Sequence, residues 1–333
     1  MATIRDVAKE AGVSLGTVSR YLNGYTLKKA NMEKIAAAIK KLDFKQNYLA
    51  KGLKTKKSHA IGVVVNALTD IFAASIVTSL EDLLEKNNYE LIIADYKNNI
   101  KLLNEKLKFL YSRNVDGIVL FHVEQAVPIL KEFRKKKIPV VAVDTPISGF
   151  ECDTVLLDNY HASVEAVKSL YKIGHRQIGI ISGGQQGYVG SERLRGYVAA
   201  MKKYGVFDRE LIAGGSSFKD ASYDATLDLL KNNHQITALY STNYYMTIGA
   251  IQAINKLNLR IPTDISFIGF DDYDISTVIK PQLTVVAQPV AKIGREIGKI
   301  ILQKITNPAD LNYQTKFFKA KIVWRDSVIN KNF

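Results

Sequence analysis

The chain has 333 residues, enough for two or three domains, and a formal net charge of +14. Its 47% hydrophobic and 23% charged composition is that of an ordinary soluble globular protein and excludes a fibrous or disordered chain. The one cysteine, Cys152, excludes an internal disulfide and a cysteine metal cluster and reads as a partly buried bystander; no apolar run has the length of a membrane span or the form of a signal segment, so the expectation is a cytoplasmic protein without membrane attachment.

The charge is concentrated at one end. Residues 1–58 hold 13 Lys/Arg and 4 Asp/Glu, a net +9, whereas the other 275 hold 33 and 28, a net +5. A basic head on a nearly balanced body is the electrostatic footprint of a phosphate-binding module. Lys28, Lys29, Lys45, Lys51, Lys54, Lys56 and Lys57 are candidates for backbone contacts, which orient a protein on nucleic acid without reading sequence. A solvated lysine-rich surface is the alternative for any one of them.

In chain order, Thr3 with Asp6 three residues on forms a capping box. Ile4, Val7, Ala8 and Ala11 then fall on one helical face. Gly12 suits a sharp turn. Ser14 caps a second helix that buries Val18 and Leu22 and stops at Gly24. A third helix is expected over 31–42, with Met32, Ile35, Ala36, Ile39 and Leu42 as its stripe. Two short helices around a tight turn are a way to lay one helix in the major groove, with its N-terminal residues at base edges. Here those are Leu15, Gly16 and, one turn on, Arg20, which suits guanine or phosphate. A capped hairpin with no partner is the plain alternative, and the charge argues against it.

From residue 60 the periodicity changes. Strand candidates at 61–65, 90–94, 117–121 and 139–143 are followed by a second series at 154–157, 177–181, 211–213, 238–241, 266–269 and 284–286. Between them lie helical stretches at 74–86, 101–111, 162–170, 194–204, 221–230, 247–257 and 290–305. This alternation implies parallel sheets covered by helices on both faces. Ten strands are too many for one comfortable sheet, so two lobes are expected, with a ligand cleft at the carboxyl ends of the strands.

The opening block runs Thr3-Ile-Arg-Asp-Val-Ala-Lys-Glu-Ala-Gly-Val-Ser14, then Thr17-Val-Ser-Arg20 and Leu22-Asn-Gly24. Further blocks are 47–53, Val115-Asp-Gly-Ile118, Gly174-His-Arg-Gln-Ile178, Arg193-Leu-Arg-Gly-Tyr197, Ile261-Pro-Thr-Asp-Ile-Ser-Phe-Ile-Gly-Phe-Asp-Asp272 and 283–289. In this order and spacing they resemble the lactose-repressor/galactose-repressor (LacI/GalR) family of bacterial transcription regulators over nearly the whole chain. The resemblance implies an all-α helix-turn-helix DNA-binding headpiece (1–46), a hinge helix or linker (47–58) and an α/β two-lobed core like the periplasmic binding proteins (59–333). Lobe 1 is expected over about 59–159 and 288–315, lobe 2 over about 160–287 and 316–333.

The residues so expected at double-stranded operator DNA are Thr3, Ser14, Leu15, Gly16, Thr17, Arg20, Asn23, Lys28 and Lys29 in the headpiece, and Asn47, Ala50, Leu53 and Lys54 in the hinge. Tyr48-Leu-Ala-Lys-Gly-Leu-Lys54 is too short to be a stable helix alone, and Gly52 weakens it by about 1 kcal/mol. By resemblance, two hinges order together in the minor groove and Leu53 wedges between base pairs. Its alternative is a mere cap on the linker. Gln46 stands where the family usually has proline, which loosens the way into the hinge.

For the effector, the resemblance points to Asp144, Arg193, Phe218, Asn243 and Asp271, with Phe72 and its neighbour Ala73 on the opposing lobe. Arg193 offers a fork of donors, Asp144 and Asp271 accept hydroxyl protons, Asn243 does both, and Phe218 gives a stacking face. Ala73 replaces a second aromatic, enlarging the site, and Tyr244 replaces a usual acid. A carbohydrate, free or phosphorylated, fits better than a purine. An ion pair for Arg193 and a turn at Asp271-Asp272 are the structural alternatives.

The expected partners are therefore operator DNA, a small carbohydrate effector and a second copy of the chain; tetramers stay open, although the short polar tail after Trp324 favours a dimer. No cofactor or metal is called for: His122, His161, His175 and His234 show no ligand spacing. The rival classes are a free sugar-binding protein, which the basic head argues against, and an enzyme. Ser182-Gly-Gly-Gln-Gln-Gly187 lacks a P-loop ending, and adjacent Asp271 and Asp272 point in different directions. Inducer, corepressor and phosphorylated-carrier versions of the regulator remain open.

Overall fold

The computed structural model of the protein describes residues 2–22, 25–44, 57–183, 187–214 and 219–332. The chain divides into two units, Met1–Ser58 and His59–Phe333.

The first unit contains α1 (Ile4–Ala11), α2 (Leu15–Leu22) and α3 (Lys29–Lys41). The amide of Asp6 donates to Thr3 Oγ1 at 3.3 Å and the amide of Thr3 to Asp6 Oδ2 at 2.8 Å, which completes the capping box. These Thr3 hydrogen bonds hold the Asp6 carboxyl below its ordinary value. Gly12 ends α1 at φ +62°, a conformation an L side chain resists. Ser14 Oγ then accepts from the Thr17 amide at 3.2 Å. Val7, Val18 and Ile35, fully buried, join Ala8, Ala11 and Ala38 in the core of this unit. The stripe of α3 therefore needs one correction: Ala38 is inside and Ala36 outside. At about 100° per residue, 35, 38, 39 and 42 share a face and 36 turns away from it.

The second unit begins with β1 (Ala60–Val65), α4 (Ile71–Glu85), β2 (Glu90–Asp95), α5 (Ile100–Ser112), β3 (Gly117–Phe121), α6 (Leu130–Lys135), β4 (Val140–Val143) and β5 (Asp153–Leu157). The chain then crosses to α7 (Asn159–Lys172), β6 (Ile178–Ser182), α8 (Tyr188–Lys203), β7 (Ile212–Gly214), α9 (Lys219–Asn232), β8 (Ala238–Ser241), α10 (Tyr244–Lys256), β9 (Ser266–Phe270), α11 (Ile275–Val278) and β10 (Thr284–Ala287). It ends with α12 (Val290–Thr306), β11 (Thr315–Phe318) and β12 (Lys321–Val323). The sheets have matching orders, β11-β5-β4-β3-β1-β2 and β12-β10-β9-β8-β6-β7. All described pairings are parallel except β10 with β12.

Central strands such as β3 and β9 are buried along their whole length, as parallel strands covered on both faces must be. On the first sheet α4 and α12 cover one face and α5 and α6 the other. The second sheet gathers one continuous core from β6, β8 and β9 and the helices around them. Helix pairs approach at glycine. A Cβ on Gly196 would overlap the Tyr160 carbonyl, on Gly249 the Lys219 carbonyl, and on Gly294 the Ile76 carbonyl.

The last crossing differs from the expected lobe boundary. Residues 316–318 belong to the first sheet, where Lys316, Phe317 and Phe318 pair with Val155, Leu156 and Leu157. The segment is an exposed edge with little apolar alternation, so the sequence hides its strand. Helices α6 and α11 are also absent from the sequence reading, being too short to show a period. Cys152 is buried, which pushes its thiol up to about 11. No helix among the described residues is long and apolar enough to cross a membrane.

Candidate functional site

In the first unit the second helix offers an open N-terminal end. Ser14, Leu15, Gly16 and Arg20 are exposed and Thr17 is half-buried, its hydroxyl 2.8 Å from Ser14 Oγ. Leu15 is 44% exposed, an apolar side chain facing outward at the start of a helix. The Arg20 guanidinium lies 5.8 Å from the Tyr25 ring centre. Thr3, Lys28 and Lys29 are exposed too. Helix α2 carries no acid in its first turn, so nothing there repels phosphate. Asn23, Gln46, Asn47, Ala50, Leu53 and Lys54 lie outside the described residues, and with them most of the expected hinge.

In the second unit the carboxyl ends of the two sheets line one cleft of about 910 Å³, a size typical of small-molecule sites. Asp144 follows β4 and Asp271 follows β9 at equivalent places in the two lobes. Each has positive φ, +67° and +71°. Each donates its amide across to the neighbouring strand, Asp144 to Val155 O and Asp271 to Val286 O, both at 2.9 Å. Such backbone is uncommon for a residue with a Cβ and concentrates at functional sites.

Arg193, on α8, is 5% exposed and fixed on three sides. Its Nε donates to Asn159 Oδ1 at 2.7 Å, its Nη1 donates to Thr242 O, and its plane lies 3.6 Å from the Phe270 ring centre. The guanidinium still lines the cleft. It is not a surface ion pair but a fork held in register. Asn243 caps α10, its Oδ1 accepting from the Met246 amide at 2.7 Å, and lines the cleft.

Asp271 accepts from Gln288 Nε2 at 2.7 Å. Burial pushes its carboxyl up to about 6, against the opposing pull of Arg193 and Gln288. Asp272 turns away and binds Arg325 at 2.7 Å. Asp144 Oδ1, Asn66 Oδ1 and Gln288 Oε1 are buried without a hydrogen-bond partner among the described residues. Buried polar atoms are rarely left so, and all three belong to residues of the cleft wall.

Two expectations are corrected here. Ala73 is 1% exposed and packs in the first lobe's core, so its small side chain does not enlarge the site. Helix α4 turns Phe72 toward the cleft and Ala73 inward. Asp144 stands on the same lobe as Phe72 rather than opposite it. Phe218 lies outside the described residues.

Several wall residues escape the sequence reading. His122 sits between Asp70 and Asp144, its Nε2 3.3 Å from Asp70 Oδ2 and its Nδ1 3.3 Å from Asp144 Oδ2. Burial lowers the basicity of this imidazole, but the hydrogen bond to Asp70 and the charges of Asp144 and Asp70 outweigh it and raise its pKa. Asp70 is reciprocally held low: its burial acts upward, and His122 with the α4 amides prevails. Tyr244 packs edge-on against Tyr273, ring centres 5.3 Å apart, and Tyr188 and Tyr245 also line the wall. These tyrosines supply the aromatic surface whose loss at Ala73 was expected. The signal that finds His122 is positional: like Asp144 and Asp271, it directly follows a strand.

The geometry is that of a binding site: a fixed donor fork, carboxylate acceptors and aromatic faces on two lobes. Groups of three or more His, Cys, Asp or Glu placed to hold a metal are absent among the described residues.

Two family descriptions fit the chain. "Bacterial regulatory proteins, lacI family" matches residues 3–47, and "Periplasmic binding proteins and sugar binding domain of LacI family" matches residues 58–321. The ribose operon repressor of Haemophilus influenzae is 30% identical over 331 residues, covering 98% of this chain and 99% of that protein. The transcriptional repressor PurR of Photorhabdus laumondii is 32% identical over 340 residues, covering 100% and 98%. A solved complex of the transcriptional regulator CelR with cellobiose superposes with a TM-score of 0.74 at 26% identity, covering 98% of this chain and 100% of that one. The two relatives named by sequence are transcriptional repressors, which are not enzymes, and CelR is a transcriptional regulator. With a helix-turn-helix region at one end, a two-lobed sugar-binding domain behind it and full-length relatives of this kind, the chain belongs to the LacI family of bacterial regulatory proteins and is a DNA-binding transcriptional repressor.

Proposed function

We propose that this repressor controls carbohydrate-utilisation genes as a homodimer and leaves its operator when a small sugar occupies the cleft. Residues 1–46 read DNA, 47–58 form the hinge, and the core senses the effector. The observation that carries the reading is the cleft: Asp144 from one lobe meets Arg193, Asn243 and Asp271 from the other, a set of acceptors and fixed donors suited to vicinal hydroxyls. Further support comes from a relative named as a ribose operon repressor and from a solved relative that holds cellobiose.

Mechanistically, Ser14, Leu15, Gly16, Thr17 and Arg20 present the start of α2 to base edges, while Thr3, Lys28 and Lys29 hold phosphates. A two-fold dimer places its two reading helices about 34–36 Å apart, one turn of duplex. The hinge residues Asn47, Ala50, Leu53 and Lys54 order in the minor groove between them. A sugar binds more tightly to a lobe arrangement in which the hinges separate. Moving that balance from 1:99 to 99:1 takes about 5.5 kcal/mol of differential affinity.

The test is fluorescence-polarisation binding of the full chain to palindromic DNA, with and without a panel of sugars. Sequence-selective binding abolished by one sugar is the expected result. Sugar-enhanced binding makes the ligand a corepressor, and sugar-independent binding removes the cleft from the switch.

A further inference from the structure

The wall of the cleft carries an uneven balance of charge. Among the described residues, five carboxylates line it (Asp70, Glu124, Asp144, Asp220 and Asp271) against two permanent cations, Arg193 and Lys219. Arg193 already donates to Asn159 and Thr242. Lys219 lies 3.9 Å from Asp220 with nearly half its side chain in solvent.

Helix ends make the same point independently. An N-terminus is where a protein ordinarily receives a phosphate, because its free amides point at the ligand. Here three helix starts at the cleft already spend amides on side chains of the protein. The amides of Phe72 and Ala73, which open α4, donate to Asp70 Oδ1 at 3.0 and 3.4 Å. The Tyr188 amide, which opens α8, donates to Glu124 Oε1 of the other lobe at 2.9 Å. The Met246 amide of α10 is spent on Asn243. Two of these three caps are carboxylates.

His122 completes the arrangement. It is faced by Asp70 from the start of α4, by Asp144 from the end of β4 and, across the cleft, by Arg193 of α8. As an imidazolium it is paired with a carboxylate on either side, 3.3 Å from each, so its charge is neutralised within the protein before a ligand arrives.

We infer that the effector of this protein is an unphosphorylated, uncharged sugar, and that His122 with Asp70 and Glu124 determines this selectivity by occupying the places where a phosphate would be bound. The inference rests on the reading of the cleft as the effector site. A phosphate ester adds a charge near −2 beside five carboxylates that Arg193, Lys219 and His122 together only partly balance.

The experiment is isothermal titration calorimetry of the full-length protein with matched pairs: ribose and ribose 5-phosphate, glucose and glucose 6-phosphate, fructose and its phosphates, trehalose and trehalose 6-phosphate. The tightest binder is expected to be a free sugar whose ester binds about 100-fold more weakly or not at all. In the Asp70→Asn/Glu124→Gln variant that ratio falls by about tenfold, a readout that loss of folding does not imitate. NMR titration of the free protein gives His122 a pKa above that of a free imidazole. An ester that binds as tightly as its parent sugar overturns the inference while leaving the sugar site standing, as does a His122 that titrates below the free value. Failure of every pair to bind refutes the sugar site itself, and the inference with it.

Discussion

A carboxyl buried as deeply as that of Asp271 is easier to keep protonated than to ionise, and its rise to about 6 from an ordinary 3.8 has a cost for the fold. Between those values the folded chain holds a proton that the unfolded chain has released. Stability therefore falls as pH rises through about 4 to 6, and the deficit, on the order of 3 kcal/mol, is fully present at neutral pH. Asparagine keeps the acceptor for Gln288 without the charge. Asp271→Asn is expected to melt higher than wild type near pH 7.5, with the gap closing toward pH 4, while sugar affinity drops at least about tenfold. Calorimetry across that range checks the sign, and a lower melting point near pH 7.5 refutes it. Arg193→Lys loses the Phe270 stack and the Nε bond to Asn159. Its expected signature is at least about tenfold weaker sugar binding with operator affinity unchanged when no sugar is present.

Among the elements, the helices were legible where local chemistry dictates them. Thr3 and Asp6 announce α1, and Gly12 its end. Thr3→Ala is expected to lower headpiece stability by about 1 kcal/mol, read as a loss of operator affinity on warming. What no local pattern discloses is that Gly196, Gly249 and Gly294 are the points where helix pairs touch backbone to backbone. Gly196→Ala must push α8 off α7, and an overpacked interface of this kind costs about 1–3 kcal/mol. Chemical denaturation of the core should show it, with the headpiece transition unmoved. The edge strand β11 and the short helices α6 and α11 stayed hidden for the opposite reason: their residues are exposed or few, and hydrophobic period is a signal only where a face is buried.

At the scale of the whole molecule, the headpiece and the core make separable demands. Arg20→Ala is expected to flatten the difference between operator and scrambled DNA. Lys29→Ala is expected to weaken both alike and to reduce the salt slope by about one. Polarisation titrations at several salt concentrations distinguish the two, and equal effects of both substitutions on both DNAs contradict the assigned roles.

By itself the sequence determined the two-part organisation, the three headpiece helices, the alternating strands and helices of the core, and Arg193, Asn243, Asp144 and Asp271 as cleft residues. The organisation and the elements follow from periodicity, capping and charge placement, all of them properties of short stretches of chain, and the four cleft residues were named through the family resemblance that the ordered motif blocks carry. Tertiary structure alone decided that Ala73 is core and not pocket, that 316–318 close the first sheet, and that His122 lies between Asp70 and Asp144. It also decided that Glu124 of one lobe caps a helix of the other, and that Tyr188, Tyr244, Tyr245 and Tyr273 furnish the aromatic wall. Each depends on residues tens of positions apart being carried to the same strand ends, and the free energy that brings them there comes from burying the two sheets, to which the site's own side chains contribute little.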